Sequence, residues 1–286
     1  MAKQAGYGKK VPPGIHIHAL RVGDYQVRLA DTCDRQNPSP TLMIFNGLGV
    51  NLEILFPLMQ SLGAVDCVTF DIPGVGGSEE PVFPVQVFGL TGLARDIADY
   101  YRLQTLAVMG ISWGCCLATE FAWRYPGRCT QLILASGSAG VFAIPRSLGS
   151  LLELANPRRY MDKDYLRRRA PALYGGRFLT DPALIEEYLA LLSEHRSPMT
   201  YYRQLCSIGG WTSVPWLSRI SQPTLILAGR DDRMLSPLNA RLLHEWITHS
   251  QVELLDDGHL FFFSSPAETA ALITEFLCRD NISLPG

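Results

Sequence analysis

Residues 110–116 have the sequence GISWGCC, in which Ser112 lies between two glycines and Cys115 follows in the same stretch. An apolar run, LAVMGI (106–111), precedes the serine, and a segment with helical period, WGCCLATEFAWRY (113–125), follows it. The pattern G-x-S-x-G between a buried strand and a helix is typical of a sharp turn that raises a nucleophilic serine above a sheet edge. Such a turn leaves little room for side chains at positions 110 and 114. Ser112 and Cys115 are both candidate nucleophiles.

Other short apolar runs recur along the chain and alternate with segments of helical period. They have no polar alternation, as expected of strands that are covered on both faces. This order predicts an α/β protein with a mostly parallel sheet and right-handed crossovers. Two further runs flank Gly23-Asp24 and predict an antiparallel hairpin at the N-terminal end. The predicted central and C-terminal strands are 41–45, 66–72, 106–111, 132–137, 223–232 and 252–257.

The strand pattern is interrupted after residue 139 and resumes after residue 218. Between them lie helical, aromatic and proline-punctuated stretches, and a structureless loop of that length would be unusual in a globular domain. We therefore predict one α/β core domain, residues 1–139 and 219–286, that carries a helical cap or lid, residues 140–218.

Three more elements accompany Ser112 in the order that serine catalysis on such a sheet requires. The loop IFNGLGVN (44–51) follows an early strand, and the backbone amides of Leu48 and Trp113 are predicted to form an oxyanion hole. The loop LLDDGHLFFF (254–263) supplies His259 as the general base.

The fourth element is a carboxylate from LAGRDDRMLSP (227–237), which would hold the histidine in the correct tautomer. Asp231 and Asp232 are adjacent, and neighbours in strand geometry point to opposite faces, so only one of them can face His259. Taken alone, the pair could equally cap a helix or solvate a turn. The residues alone leave the choice of aspartate open.

Cysteines and charge narrow the possible functions. Cys115 and Cys116 are predicted to pack in the core, and the seven cysteines, with no C-x-x-C, indicate reduced thiols in a cytoplasmic protein. The net charge of −2 shows no basic excess, so nucleic acid is not expected as a partner. Residues 1–14 have no apolar stretch typical of a secretory signal, and no membrane span is expected.

No cofactor is predicted. The glycine-rich stretches 47–51 and 74–78 do not complete a dinucleotide motif, and no phosphate-binding P-loop occurs. His16 and His18 alternate on a predicted strand, but no third ligand accompanies them, so no metal site is predicted.

The chain resembles the α/β-hydrolase superfamily, in which the catalytic acid usually lies in a G-x-x-D turn after the penultimate strand. Counted from Gly229, this resemblance selects Asp232, with Asp231 as the fallback. The serine at the turn favours acyl transfer through an acyl-enzyme over the chemistry of superfamily members with aspartate there.

Within the superfamily, the chain is similar to intracellular medium-chain-length poly(3-hydroxyalkanoate) depolymerases. The likeness covers residues 40–277, insertion included, and rests on IFNGLGVNLEILFP, FDIPGVGGS, GISWG, NPRRY, APALYGG, GGWTSVPWL, QPTLILAGRDD and DDGHLFF. It implies cleavage of storage polyester at the surface of cytoplasmic granules, with Ser112, Asp232 and His259 as the triad. Asn46 occupies the position where many superfamily members have histidine, and an asparagine there fits this subgroup.

The insertion is rich in large apolar and aromatic residues, which we interpret as a lid whose apolar face meets the granule. The alternative is that these residues only pack the cap against the sheet. They are Phe142, Ile144, Leu148, Leu151, Tyr174, Phe178, Tyr201, Tyr202, Trp211 and Trp216.

The chain departs from the family at Cys115-Cys116, where small residues are expected, and this puts the preferred acyl chain length in doubt. Two other functions stay open. The same triad would serve a hydroxyacyl transferase or a hydrolase of soluble esters and thioesters, and the fold would also suit a non-catalytic granule-binding protein. Nothing in the sequence specifies the oligomeric state.

Overall fold

A single sheet organises the structure. The computed structural model describes residues 11–33, 41–193 and 197–279, in which eight strands pair in the order β1-β2-β4-β3-β5-β6-β7-β8. Only the β1–β2 and β2–β4 pairs are antiparallel, so the predicted mostly parallel sheet with an N-terminal hairpin is confirmed. The strands are His16–Val22 (β1), Tyr25–Asp31 (β2), Thr41–Phe45 (β3), Asp66–Phe70 (β4), Leu106–Ile111 (β5), Cys129–Ala135 (β6), Thr224–Gly229 (β7) and Ser250–Leu255 (β8).

Both faces of the sheet are covered, which explains the unbroken apolar runs. In β3, Leu42 and Ile44 pack on one face, while Met43 and Phe45 pack on the other. The first face lies under α1 (Phe56–Leu62), α10 (Phe261–Ser264) and α11 (Pro266–Arg279). The second face lies under α2 (Val87–Tyr100), α3 (Gly114–Arg124) and α9 (Leu238–Trp246). Each face buries its own apolar core, and the sheet separates the two.

The strand ends differ from the sequence prediction by a few residues. The strand predicted at 132–137 begins earlier, at Cys129, and the strand predicted at 223–232 ends earlier, at Gly229. Strand β7 ends at Gly229 because its pairing with β8 ends there: Gly229 is opposite Leu255, the last residue of β8. Asp231 and Asp232 consequently lie in a turn beyond the strand.

The segment between β6 and β7 contains helices and loops over its described part. We call residues 140–218 the insert. Isolated bridges join Gly140 to Thr212 and Pro145 to Leu235. Its α-helices are Leu148–Ala155 (α4), Arg158–Met161 (α5), Lys163–Tyr174 (α6), Pro182–Leu191 (α7) and Pro198–Ser207 (α8), and short 3₁₀ helices cover Gly176–Leu179 and Val214–Arg219. Within the described ranges, none of the helices is long and apolar enough to cross a membrane.

The apolar residues of the insert fall into two groups. Tyr174, Phe178 and Tyr201 are fully buried and pack inside the protein. Phe142 and Leu148 are 61% and 80% exposed, and the nearby Val141 and Leu152 are exposed as well. Burial therefore agrees with packing against the core for the first group, whereas the second group exposes apolar side chains at the surface.

Candidate active site

The turn between β5 and α3 places Ser112 at the carboxyl edge of the sheet. Ser112 has a positive φ of 52°, a conformation that is costly for a residue with a side chain. Its backbone N–H donates to the carbonyl of Ala135 at 2.8 Å, which fixes the turn to β6. A Cβ atom at Gly110 would lie 2.4 Å from the carbonyl oxygen of Gly114, and one at Gly114 would lie 2.1 Å from that of Phe45. Both flanking positions therefore require glycine.

His259 reaches Ser112 from the loop after β8. The distance from His259 Nε2 to Ser112 Oγ is 3.0 Å, and the imidazole is almost completely buried. The backbone of His259 is held from two sides. Its N–H donates to the carbonyl of Tyr174 at 2.8 Å, and its carbonyl accepts from the hydroxyl of Ser136 at 2.9 Å. The ring position is thus set by both the sheet edge and the insert.

Asp232 contacts the other nitrogen of the imidazole. Its Oδ2 lies 2.7 Å from His259 Nδ1, and its Oδ1 accepts from the amides of Met234 at 2.8 Å and Leu235 at 2.9 Å. Because an ionised carboxylate can only accept hydrogen bonds, Nδ1 must carry the proton in this pair. The lone pair of Nε2 then faces the Ser112 hydroxyl, as removal of its proton requires.

Asp231 points elsewhere. Its carboxylate accepts from the backbone N–H of Gly176 at 2.9 Å and from Arg233 Nε at 3.2 Å, and its side chain is 40% exposed. The two adjacent aspartates thus have separate partners: one contacts the imidazole and the other contacts the insert.

The loop after β3 supplies the second side of the site. Leu48 and Trp113 border the same cavity as Ser112. No acceptor for either amide is found within the described part of the chain. Asn46, at the start of this loop, is buried and shapes it, since its side chain accepts from the amide of Gly47 and donates to the carbonyl of Asn51.

A cavity of about 300 Å³ opens beside Ser112 and His259. Core and insert both line it, and most of its wall is apolar. Leu260 and Phe262 border this cavity and, like Phe261 and Phe263, belong to the buried core. The side chains with polar groups on the wall belong to Asn46, Ser112, Trp113, Cys116, Ser138, Arg159, Tyr174, Tyr188 and His259.

Cys115 does not reach the cavity. It is fully buried, and its thiol contacts the carbonyls of Gly110 at 3.1 Å and Ala135 at 3.4 Å. Burial raises the pKa of the Cys115 thiol well above its ordinary value, so it stays protonated. Cys116 is also buried, with a pKa raised to about 12, but it borders the cavity. Neither thiol is placed to act as a nucleophile in contact with His259.

Three residues at the site were given no position there by the sequence. Asp257 is buried and accepts from the hydroxyls of Ser264 and Ser265 and from the amide of Arg177, which stiffens the His259 loop. Arg159 and Cys116 lie on the cavity wall. The adjacent aspartates of DDGH were a signal for the first. Arg159 lies in the NPRRY stretch and Cys116 in the Cys115-Cys116 pair, and neither pattern indicated a position on the cavity wall.

Comparison with known proteins agrees with this architecture. The chain matches the α/β-hydrolase fold family over residues 40–266. The chain therefore belongs to the α/β-hydrolase family, and it is a hydrolase enzyme.

Individual relatives are more specific. The poly(3-hydroxyalkanoate) depolymerase of Ectopseudomonas oleovorans is 42% identical over 272 residues, which cover 95% of each chain. The 3-oxoadipate enol-lactonase 2 of Acinetobacter baylyi is 25% identical over 81% of this chain and 86% of its own. The crystal structure of the enol-lactonase from Burkholderia xenovorans superposes with a TM-score of 0.78 at 20% identity, covering 91% of this chain and 99% of that one. The last comparison concerns the fold alone.

The tight turn gives a stability prediction. We expect Gly114→Ala to lower the free energy of unfolding by at least about 2 kcal/mol, because its Cβ would overlap the Phe45 carbonyl. This corresponds to a decrease in Tm of roughly 5 °C or more, measurable by calorimetry. Gly127→Ala is the control, since an added Cβ there meets no atom within 4 Å. Equal melting of the two variants would contradict the geometry of the turn.

Thiol accessibility gives a second prediction. Iodoacetamide should alkylate the exposed Cys206 and Cys278 in the folded protein and leave Cys115 and Cys116 unmodified, because only an accessible thiolate reacts. Peptide mapping measures the modification, and hydrolysis of a p-nitrophenyl ester measures the activity, which should be retained. Inactivation in proportion to modification of Cys115 would show that the thiol takes part in the chemistry.

Proposed function

We propose that this hydrolase cleaves ester bonds of medium-chain-length poly(3-hydroxyalkanoate) through an acyl-enzyme on Ser112. The observation that carries the proposal is the hydrogen-bonded series Ser112–His259–Asp232 beside a mostly apolar cavity. The choice of polyester is supported by the 42% identity with a poly(3-hydroxyalkanoate) depolymerase over nearly the whole chain.

In this mechanism, Ser112 Oγ attacks the ester carbonyl while His259 Nε2 accepts the hydroxyl proton. The amides of Leu48 and Trp113 donate to the developing oxyanion, and one such donor typically lowers the barrier by about 3–4 kcal/mol. The imidazolium then protonates the leaving alcohol, and Asp232 stabilises its charge. A water molecule, activated by the same histidine, hydrolyses the acyl-enzyme and restores Ser112.

An exposed apolar surface supports action on an insoluble substrate. We call Val141, Phe142, Leu148, Leu151 and Leu152 the apolar patch; their exposed fractions are 54%, 61%, 80%, 50% and 73%. Exposed apolar groups of this kind are typical of interaction surfaces. Leu151 also borders the cavity, so the patch is continuous with the site. We propose that the patch adsorbs to polyester and that the enzyme works at the surface of cytoplasmic storage granules.

One observation favours a second candidate. The cavity volume of about 300 Å³ lies at the lower end of the range for small-molecule sites, which would suit a soluble ester or transfer of one hydroxyacyl group. Release of p-nitrophenol from soluble esters is compatible with both functions. Clearing of an emulsion of medium-chain-length polyester, with release of hydroxyacids, is expected only for the first.

The two aspartates can be separated by amide substitution. Asp232→Asn should lower kcat on p-nitrophenyl octanoate by about 10⁴-fold, because the amide would stabilise the wrong imidazole tautomer. Asp231→Asn should change kcat less than about threefold, since its carboxylate contacts Gly176 and Arg233 instead. Melting curves of both variants serve as the folding control. The opposite ranking would transfer the role of the acid to Asp231.

The apolar patch can be tested by comparing insoluble and soluble substrates. Leu148→Ser/Leu152→Ser should slow clearing of the polyester emulsion by about tenfold or more, because adsorption loses two apolar side chains. Hydrolysis of p-nitrophenyl octanoate should stay within about twofold, since neither residue borders the cavity. Phe88→Ser is the control, because it removes a side chain that is 59% exposed on α2. An equal loss on both substrates, or the same slowing in the control, would contradict the role of the patch.

A further inference from the structure

Arg159 is an unusual residue for the wall of an apolar cavity. It lies in the short helix α5 and borders the same cavity as Ser112 and His259. Only 8% of the residue is exposed. A guanidinium keeps its positive charge at any pH at which a protein is folded, so this charge must be accommodated inside the molecule.

The contacts of Arg159 position the guanidinium without neutralising it. Its Nε donates to the hydroxyl of Tyr201 at 3.0 Å, and its central carbon lies 5.4 Å from the centroid of that ring. The Tyr201 hydroxyl in turn donates to the carbonyl of Leu154. Among the described residues, no carboxylate forms an ion pair with Arg159, and no acceptor is found for its two terminal nitrogens.

Arg28 shows how a buried arginine is otherwise accommodated in this protein. It is 2% exposed, and its guanidinium contacts the carboxylates of Glu53 and Asp71, the latter at 2.9 Å. A buried charge without such a partner lowers stability, because desolvation is not compensated. Departures of this kind concentrate at functional sites. A buried guanidinium that borders the cavity, and that contacts Tyr201 and no carboxylate of the described residues, thus points to an anionic ligand in the cavity.

We infer that Arg159 binds the carboxylate of an amphipathic ligand, which, if the proposed function is correct, is the free carboxyl end of the hydroxyacid chain. The guanidinium offers parallel donors that match a carboxylate, and the apolar wall suits the alkyl part of the same molecule. A second cavity of about 20 Å³ also borders Arg159, together with Tyr174 and Tyr188.

This assignment specifies which bond is cleaved. The carboxylate bound to Arg159 belongs to the terminal unit, whose 3-hydroxyl oxygen forms the ester that Ser112 attacks. The bond from the carbonyl carbon to that oxygen breaks, a bond to Ser112 Oγ forms, and the serine proton passes through His259 to the leaving oxygen. The carboxylate neither gains nor loses a proton. Each cycle then releases one 3-hydroxyacid from the carboxyl end of the chain.

Inhibition tests the subsite without any polyester. Octanoate and octanamide are compared as competitive inhibitors of p-nitrophenyl butyrate hydrolysis, at a pH at which octanoate is ionised. Octanoate should bind about 10- to 100-fold more tightly to the wild-type enzyme, as expected for hydrogen bonds to a charged group. Arg159→Gln should abolish this preference. Arg158→Gln, which changes the exposed neighbour paired with Asp162, should retain it. Equal inhibition by the two compounds, or a preference that survives Arg159→Gln, overturns the inference.

Cleavage of a defined substrate tests the same idea in the reaction. A 3-hydroxyoctanoate dimer with a free carboxyl group is compared with its methyl ester. The wild-type kcat/KM should be about 10- to 100-fold higher for the acid, and Arg159→Gln should lose the advantage on the acid only. A purely structural role for Arg159 would lower both values equally and would overturn the inference. If Arg159→Gln does not fold, the wild-type comparison and Arg159→Lys, which keeps the charge, decide the question.

The outcomes separate this inference from the proposed function. If the enzyme clears polyester but shows no preference for the carboxylate compounds, the proposed function is supported and the carboxylate subsite at Arg159 is rejected. An Arg159-dependent preference for octanoate in an enzyme that does not clear polyester would support the subsite and reject the polymer as substrate.

Discussion

The parallel direction of β3, β5, β7 and β8 is the constraint on which the whole site depends. Parallel strands end at the same edge of a sheet, so the residues that follow each strand meet there although they are far apart in the chain. Leu48, Ser112, Asp232 and His259 each follow one of these four strands. The apolar cores on both faces fix the strands, and the strands fix the distances of 2.7 Å and 3.0 Å in the hydrogen-bonded series.

The insert contributes to this edge in two different ways. At the end of α6, the Tyr174 carbonyl and the Gly176 amide bond to His259 and Asp231, so this part of the insert fixes the loops that carry these two residues. Its packing is close enough that a Cβ at Gly176 would lie 2.0 Å from the backbone nitrogen of Gly258. The N-terminal part of the insert, α4 and the residues before it, exposes the apolar patch beside the cavity. One segment thus both holds the loops that carry His259 and Asp231 and exposes apolar side chains.

Much of the fold could be predicted because buried strands leave a dense apolar pattern. The limits of that pattern are visible at β6, where the exposed Thr130 interrupts the apolar run and hides the first three residues of the strand. Within the insert, sequence did not distinguish the buried Tyr201 from the exposed Leu148, since both are large and apolar and only tertiary packing separates them. Arg159, which has no ion pair among the described residues, was equally invisible, because ion pairing depends on distances between residues that are remote in sequence.

The most direct test of the account is labelling with a fluorophosphonate, followed by intact-mass measurement and peptide mapping. The account predicts a single adduct on the peptide that contains Ser112, no adduct in Ser112→Ala, and labelling slowed by orders of magnitude in His259→Ala. An adduct on another residue, or labelling whose rate is unaffected by His259→Ala, would contradict the hydrogen-bonded series as the source of the enzyme's reactivity.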